Sequence, residues 1–202
     1  MQTRIGRERP VKAASAAIAI GASVVLLWLI EAVDQVARGA LDQYGIQSWN
    51  PASLPSVFVA PLLHAGWGHL ISNTLPFAVL GFLVLVGGLA KAVWATLSSV
   101  LASGAFAWLL SPPNTVTVGA SGLIFGWLTY LLTRGVLSRD GKQIVIAVAV
   151  LLLYGGVLWG VLPSQPGVSW QAHLGGAIGG MLAAWLINRR AVARRRRSPL
   201  AA

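Results

Sequence analysis

The chain has 202 residues, of which 56% are hydrophobic and 10% charged, and its fifteen Lys and Arg outnumber five Asp and Glu to give a net charge of +10. A soluble domain of this size carries roughly 25% charged residues, so a water-soluble globular fold is excluded, and the absence of cysteine excludes a disulfide frame or a thiolate metal site. The positive charge does not indicate nucleic acid, because six of the arginines (Arg189, Arg190 and 194–197) directly follow an apolar run, as a cytoplasmic flank near anionic lipid does.

A basic start (Arg4, Arg7, Arg9, Lys12) leads into an apolar run over residues 13–30. That run exceeds the roughly 7–15 residues of a signal-peptide core, so it is read as an uncleaved first span over about 13–32. A long first loop (33–67) separates it from spans over 68–88 and 92–110, which are joined by a short turn at 87–91. The Pro-rich stretch SPPNTVTVG introduces a fourth span over 119–133. The charged turn RGVLSRDGK leads to a fifth over 143–162, and LPSQPGVS to a sixth over 170–188. Six spans put both termini on one side, together with fourteen of the fifteen basic residues and without Arg38, as the positive-inside rule requires of the cytoplasmic face. Trp28, Trp94, Trp108, Trp159, Trp170 and Trp185 fall near span ends, where interfacial tryptophans belong. The expectation is an all-α polytopic membrane protein: a cytoplasmic tail over 1–12, one six-helix domain over 13–188, and a second cytoplasmic tail over 189–202.

The fourth span, 119–133, covers only about 21 Å at 1.5 Å per residue, against a hydrocarbon core of ~30 Å. Its start is expected below the outer surface, reached by a dipping loop that lines a water-filled cavity. The notable polar residues collect at that level. His64, His69 and Asn73 lie in HAGWGHLISN, and His173 lies in SWQAHLGGAIGG. Counted from the inner span ends, Ser121 is 13 residues above Arg134, Asn73 is 14 above Gly87, and His173 is 15 above Asn188. All three therefore stand about 20–23 Å above the inner boundary. Polar side chains at membrane depth are costly unless they meet one another or water. Gly122 with Gly126, and Gly176 with Gly180, give spans four and six small-xxx-small faces that permit close approach of Ser121 and His173.

These parts suggest acyl-transfer chemistry. A serine needs a base to become a nucleophile, usually histidine, and a tetrahedral intermediate needs donors aimed at its oxyanion. Ser121 sits in a first helical turn, where N–H groups lack intrahelical acceptors; its own N–H, the Asn73 amide and His69 are the candidate donors. No acid is at hand for a third member. Glu8 and Asp140 lie on the inner side, and Glu31, Asp34 and Asp42 lie at the end of span one or in the first loop. A Ser–His dyad is expected, its imidazole oriented by packing, with Phe125 one turn below Ser121 placed to stack on His173. No Asp lies inside any span, which removes a two-aspartate mechanism, no H-E-x-x-H is present, and GASGL is not the G-x-S-x-G elbow. No metal and no cofactor is expected.

Three motifs resemble those of the rhomboid family of intramembrane serine proteases. HAGWGHLISN is similar to H-x-x-x-x-H-x-x-x-N on the second helix, GASGLIFG (with Gly119, Ser121, Gly122 and Gly126) to G-x-S-G-x-x-x-G on the fourth, and AHLGGAIGG to A-H-x-x-G-x-x-x-G on the sixth. The resemblance runs from about residue 13 to 188. It implies Ser121 as nucleophile, His173 as general base, His69 and Asn73 as oxyanion-hole groups, and a structural role for His64. It further implies cleavage of transmembrane segments of single-pass membrane proteins, preferring small residues at the cut and helix breakers nearby. Substrate is expected to enter sideways past the fifth helix and the loop at 163–169. Two departures stand out: QSWNP replaces the Trp-Arg of many members in the first loop, leaving that loop's usual anchoring open, and no soluble domain is expected ahead of the first span. The alternatives are a rhomboid-like pseudoenzyme that escorts membrane clients without cutting and, less in keeping with the off-centre polar layer, a small transporter. Taken singly, Ser121 could serve packing, His173 could be polar glue between helices, and Asn73 could bend its helix beside Pro76.

Overall fold

The computed structural model describes residues 10–138, 140–163 and 167–197, with side chains as far as Arg189. Arg4, Arg7, Glu8, Arg9 and Arg139, loop residues 164–166, and the side chains of Arg190 and 194–197 lie outside the described residues. Six α-helices run through the described chain: α1 (Ala13–Val36), α2 (Trp67–Val86), α3 (Leu89–Leu110), α4 (Ser121–Ser138), α5 (Gly141–Tyr154) and α6 (Trp170–Arg197). Three 3-10 helices, Asp42–Tyr44, Pro51–Phe58 and Ala60–Leu62, occupy the first loop, and a fourth, Gly155–Val161, continues α5. A two-residue strand β1 (Ile46–Gln47) pairs antiparallel with β2 (Val116–Thr117), tying the first loop to the segment before α4. Among the described residues, four helical segments are long and apolar enough to cross a membrane: Ala13–Val36, Trp67–Val86, Leu89–Leu110 and Gly141–Val161. The fold is helical and polytopic.

Local chemistry sets the helix ends. α1 stops where Arg38 and Gly39 both turn left-handed (φ 58° and 79°) and the Gly39 N–H closes on the Asp34 carbonyl at 2.9 Å, a Schellman-like cap. α5 starts on an N-cap, with the Asp140 carboxylate accepting from the N–H groups of Lys142 (2.9 Å) and Gln143 (3.3 Å).

α4 is the central rod. Every residue from Gly122 through Leu131 is buried, and α2, α3, α5 and α6 all pack on it. α1 and α5 are peripheral, with 11% and 6% of their apolar windows buried; Leu152 and Leu153 are 80% and 74% exposed, as lipid-facing side chains are. The glycines explain how α4, α3 and α6 come together. A Cβ on Gly176 would fall on the Gly122 carbonyl oxygen, and one on Gly180 on that of Gly126. A Cβ on Gly175 or Gly179, one position back, would run into the Ala102 or Ser98 carbonyl oxygen of α3. α6 thus carries two small-residue rows, one for each neighbour, of which the sequence reading used one. The Thr129 hydroxyl adds a bond across the α4–α6 seam to the Ala177 carbonyl at 2.7 Å.

Several boundaries differ from those expected. α4 is 18 residues long, about 27 Å, rather than the short span over 119–133. It starts two residues later, because Gly119 still has φ +117°, and it continues past Arg134 to Ser138. A helix ringed by protein need not stop where lipid-compatible residues stop, so a short span is not what sets the depth of Ser121. The loop bonds do that: β1–β2 pairing, and the Gly119 N–H on the Ala60 carbonyl at 2.8 Å. The fifth span divides into α5 and a 3-10 helix at the Gly155–Gly156 pair, and α6 runs nine residues past 188 to Arg197.

The QSWNP stretch supplies its own anchor. Ser48 donates its hydroxyl to the Pro112 carbonyl and its N–H to the Thr115 carbonyl at 3.0 Å. The Trp49 indole donates to the Ser111 carbonyl at 3.2 Å, and the Trp108 indole donates back to the Asn50 carbonyl at 3.0 Å. Bonds of this kind each contribute about 0.5–1.5 kcal/mol net, and together they fasten the first loop to the C-terminal end of α3 and the segment after it. The carboxylates of Glu31 and Asp34 are engaged near the start of that loop, accepting from the Gln35 side chain (2.7 Å) and the Leu41 N–H (2.6 Å).

Candidate active site

Ser121 is the first residue of α4, and the loop that delivers it passes directly over His69. Gly119 makes this possible: its φ of +117° suits glycine, and a Cβ there would lie 2.7 Å from His69 Nε2. Beyond Ser121 the α4–α6 glycine seam brings the first turns of the two helices together, so that Ser121 Oγ lies 2.8 Å from His173 Nε2.

The other ring nitrogen decides the protonation pattern. His173 Nδ1 is 2.8 Å from the Gly160 carbonyl oxygen. A carbonyl only accepts, so Nδ1 carries the hydrogen and donates it, and in the neutral ring Nε2 keeps its lone pair and accepts from the Ser121 hydroxyl. Phe125 lies flat against the imidazole, with ring centroids 4.1 Å apart and planes 10° apart. Both ring nitrogens are therefore engaged without a carboxylate. The sequence points only to packing as what orients this ring; the Gly160 contact is invisible there, since a backbone oxygen has no residue type of its own.

Asn73, on α2, is 6% exposed, and its side-chain Nδ2 has no hydrogen-bond partner. A buried amide donor without an acceptor is costly, and Asn73 lines the same cavity as Ser121, His69, Phe125, Gly160 and His173, a space of about 920 Å³. Behind this layer stands His64, in the turn before α2 and 1% exposed. Its ring meets that of His69 edge to face at 5.1 Å, and its Nε2 accepts a long bond (3.5 Å) from the Ala120 N–H next to Ser121. Burial, and then the neighbouring His69, push the His64 pKa down to about 4, against a smaller upward pull from the Leu62 backbone. His64 is thus neutral near pH 7 and buttresses the loop.

The arrangement can perform acyl transfer. It presents an alcohol bonded to a correctly tautomeric imidazole, with an unpartnered amide donor in the same cavity and the N–H groups of a helix start at the serine. Among the described residues, no group of three or more His, Cys, Asp or Glu is placed to hold a metal ion.

Over residues 51–190 the sequence matches the family described as Rhomboid domain. An uncharacterized protein of Mycobacterium tuberculosis is 46% identical over 173 residues, covering 82% of this chain and 72% of that protein. The chloroplastic rhomboid-like protein 11 of Arabidopsis thaliana is 30% identical over 148 residues, 64% of this chain and 51% of that one. Rhomboid-like protease 5 of Toxoplasma gondii is 33% identical over 152 residues, 71% of this chain and 17% of the other.

Proposed function

The chain belongs to the rhomboid family and is an integral membrane protein, and from that premise we propose that it is an intramembrane serine endopeptidase cutting transmembrane segments of single-pass membrane proteins. The observation that carries this reading is the 2.8 Å contact between Ser121 Oγ and His173 Nε2, inside a cavity that also holds the unpartnered Asn73 amide.

In this mechanism the Ser121 oxygen attacks the scissile carbonyl while its proton passes to His173 Nε2. The oxyanion accepts hydrogen bonds from Asn73 Nδ2, His69 and the Ser121 N–H. As the carbon–nitrogen bond breaks, the imidazolium returns the proton to the leaving amine. Water, deprotonated by the same nitrogen, then releases the acyl group from Ser121. The glycines act behind the reacting atoms: Gly119 admits His69, and Gly122, Gly126, Gly176 and Gly180 bring the serine and histidine helices together. Phe125 steadies the ring.

The same reading has α1 to α6 all crossing the bilayer as one protease domain over 13–188, with the tails 1–12 and 189–202 cytoplasmic and the cavity opening to the outer face. The mycobacterial relatives favour a bacterial plasma membrane as its location. Covalent labelling by a fluorophosphonate tests the assignment. The wild-type protein in detergent is expected to label and to cut a reporter transmembrane substrate; Ser121→Ala is expected to do neither while keeping its thermal midpoint. Undiminished cleavage by Ser121→Ala would sink the assignment, and a folded wild type that binds clients but neither labels nor cuts them would indicate an escort instead.

A further inference from the structure

The Gly160 carbonyl that meets His173 is free for a reason written in the chain. It belongs to the 3-10 helix Gly155–Val161, where each carbonyl bonds to the amide three residues ahead. Three residues ahead of Gly160 stands Pro163, which has no N–H to give. The oxygen is left without its helical donor, and His173 Nδ1 takes that place at 2.8 Å. The glycine matters as well: a Cβ at 160 would come within 2.8 Å of the Phe125 ζ carbon and 3.3 Å of His173 Nδ1. Any side chain there wedges ring, imidazole and carbonyl apart.

We propose that the Gly160 carbonyl, freed by Pro163, is the positioning group for the His173 imidazole. It performs the tautomer-fixing part of the work that a carboxylate does in a Ser–His–Asp triad, holding the proton on Nδ1 and keeping the Nε2 lone pair on Ser121. This element is also the least enclosed part of the site. Only 6% of the apolar window Gly141–Val161 is buried, and Trp159, next to Gly160, is 73% exposed. The imidazole is thus competent only while a lipid-facing 3-10 helix is seated against α6, and displacement of that helix releases the Nδ1–H and lets the ring adopt its other tautomer.

The proposal rests on His173 being the general base, so its test reads the ring directly as well as the reaction. Nitrogen-15 NMR of ring-labelled histidine, with the three histidines assigned through His64→Gln and His69→Gln, is expected to show wild-type His173 protonated at Nδ1. Gly160→Ala, and separately Pro163→Ala, which restores a competing N–H for the carbonyl, shift the ring toward the Nε2-protonated form. Both variants lower kcat on a reporter substrate roughly 10- to 100-fold, while KM stays within about twofold because ground-state binding is untouched. Adding Phe125→Leu to Gly160→Ala removes the atom that the new Cβ meets and recovers part of the loss relative to Phe125→Leu alone. Should Gly160→Ala fail to fold, the wild-type spectrum and Pro163→Ala decide. A wild-type His173 protonated at Nε2, or folded variants with wild-type tautomer and rate, would overturn the proposal. A wild type that shows the Nδ1 tautomer, and its loss in the variants, but never labels or cuts would uphold the positioning contact and instead defeat the protease reading.

Discussion

Two buried side chains with opposite tasks illustrate the site at the residue scale. The Asn73 amide has a hydrogen to give and no hydrogen-bond partner, and in the proposed mechanism its acceptor is the tetrahedral oxyanion. Removing one such donor costs about 10²–10³ in kcat; Asn73→Ala is therefore expected to lose that much turnover with little change in KM, and a change confined to KM would make it a substrate-positioning group instead. Burial, and then the neighbouring His69, hold His64 neutral, with its pKa at about 4 against an unfolded value of about 6.5. Above pH 6.5 both states are neutral at this residue and it contributes no pH dependence. Between pH 6.5 and 4 the unfolded chain binds a proton that the folded chain refuses, so stability falls as pH falls, by at most about 3 kcal/mol, and levels off below. Thermal midpoints measured across that window should fall more steeply for wild type than for His64→Gln; parallel slopes would show that His64 does not titrate in this way.

At the scale of elements the governing contact is glycine against carbonyl on the two faces of α6. A Cβ at Gly176 lands on the Gly122 carbonyl of α4, and backbone cannot swing aside as a side-chain tip does. Gly176→Val is expected to destabilise the protein by about 1–3 kcal/mol through overpacking and to separate Ser121 from His173, lowering fluorophosphonate labelling. Gly21→Ala is the control: it lies within α1 with nothing within 4 Å of the new methyl, so it is expected to be neutral or slightly stabilising through helix propensity. Equal thermal midpoints for the two variants would remove the seam from the account. The seam shows what sequence can and cannot reveal. The spacing of Gly122, Gly126, Gly176 and Gly180 is legible because small residues at a four-residue repeat have one common physical use. The second row on α6 was open to the same reasoning in the GGAIGG doublets. The true length of α4 was not, because hydropathy marks where lipid contact ends, and α4 has almost none. The Gly160 carbonyl left no trace in residue type, although a glycine three residues before a proline is the local signature that could have found it.

For the whole molecule, the candidate site was legible because a few polar types in an apolar chain must meet at one depth, whereas the first loop was not, since its hold on the segment after α3 runs through the backbone carbonyls of Ser111, Pro112 and Thr115, which receive Trp49 and Ser48. Orientation is a separate question, and it decides which compartment the 920 Å³ cavity opens to. With every helix crossing, the first loop and the α3–α4 segment that it grips face one side, while the α4–α5 turn and both tails face the other. On the proposed topology fourteen of fifteen basic residues fall on the side of the tails, and the positive-inside rule makes that side the expected cytoplasmic one. The chain has no cysteine, so single introduced thiols report position without background. Tyr44, 58% exposed in the first loop, and Lys142, exposed at the start of α5, sample the two faces. A membrane-impermeant maleimide is expected to label Tyr44→Cys in intact cells and Lys142→Cys only after permeabilisation. Labelling of Lys142→Cys in intact cells, with Tyr44→Cys protected, would invert the molecule, point the serine and histidine at the cytoplasm, and require substrates to be cut near their inner ends.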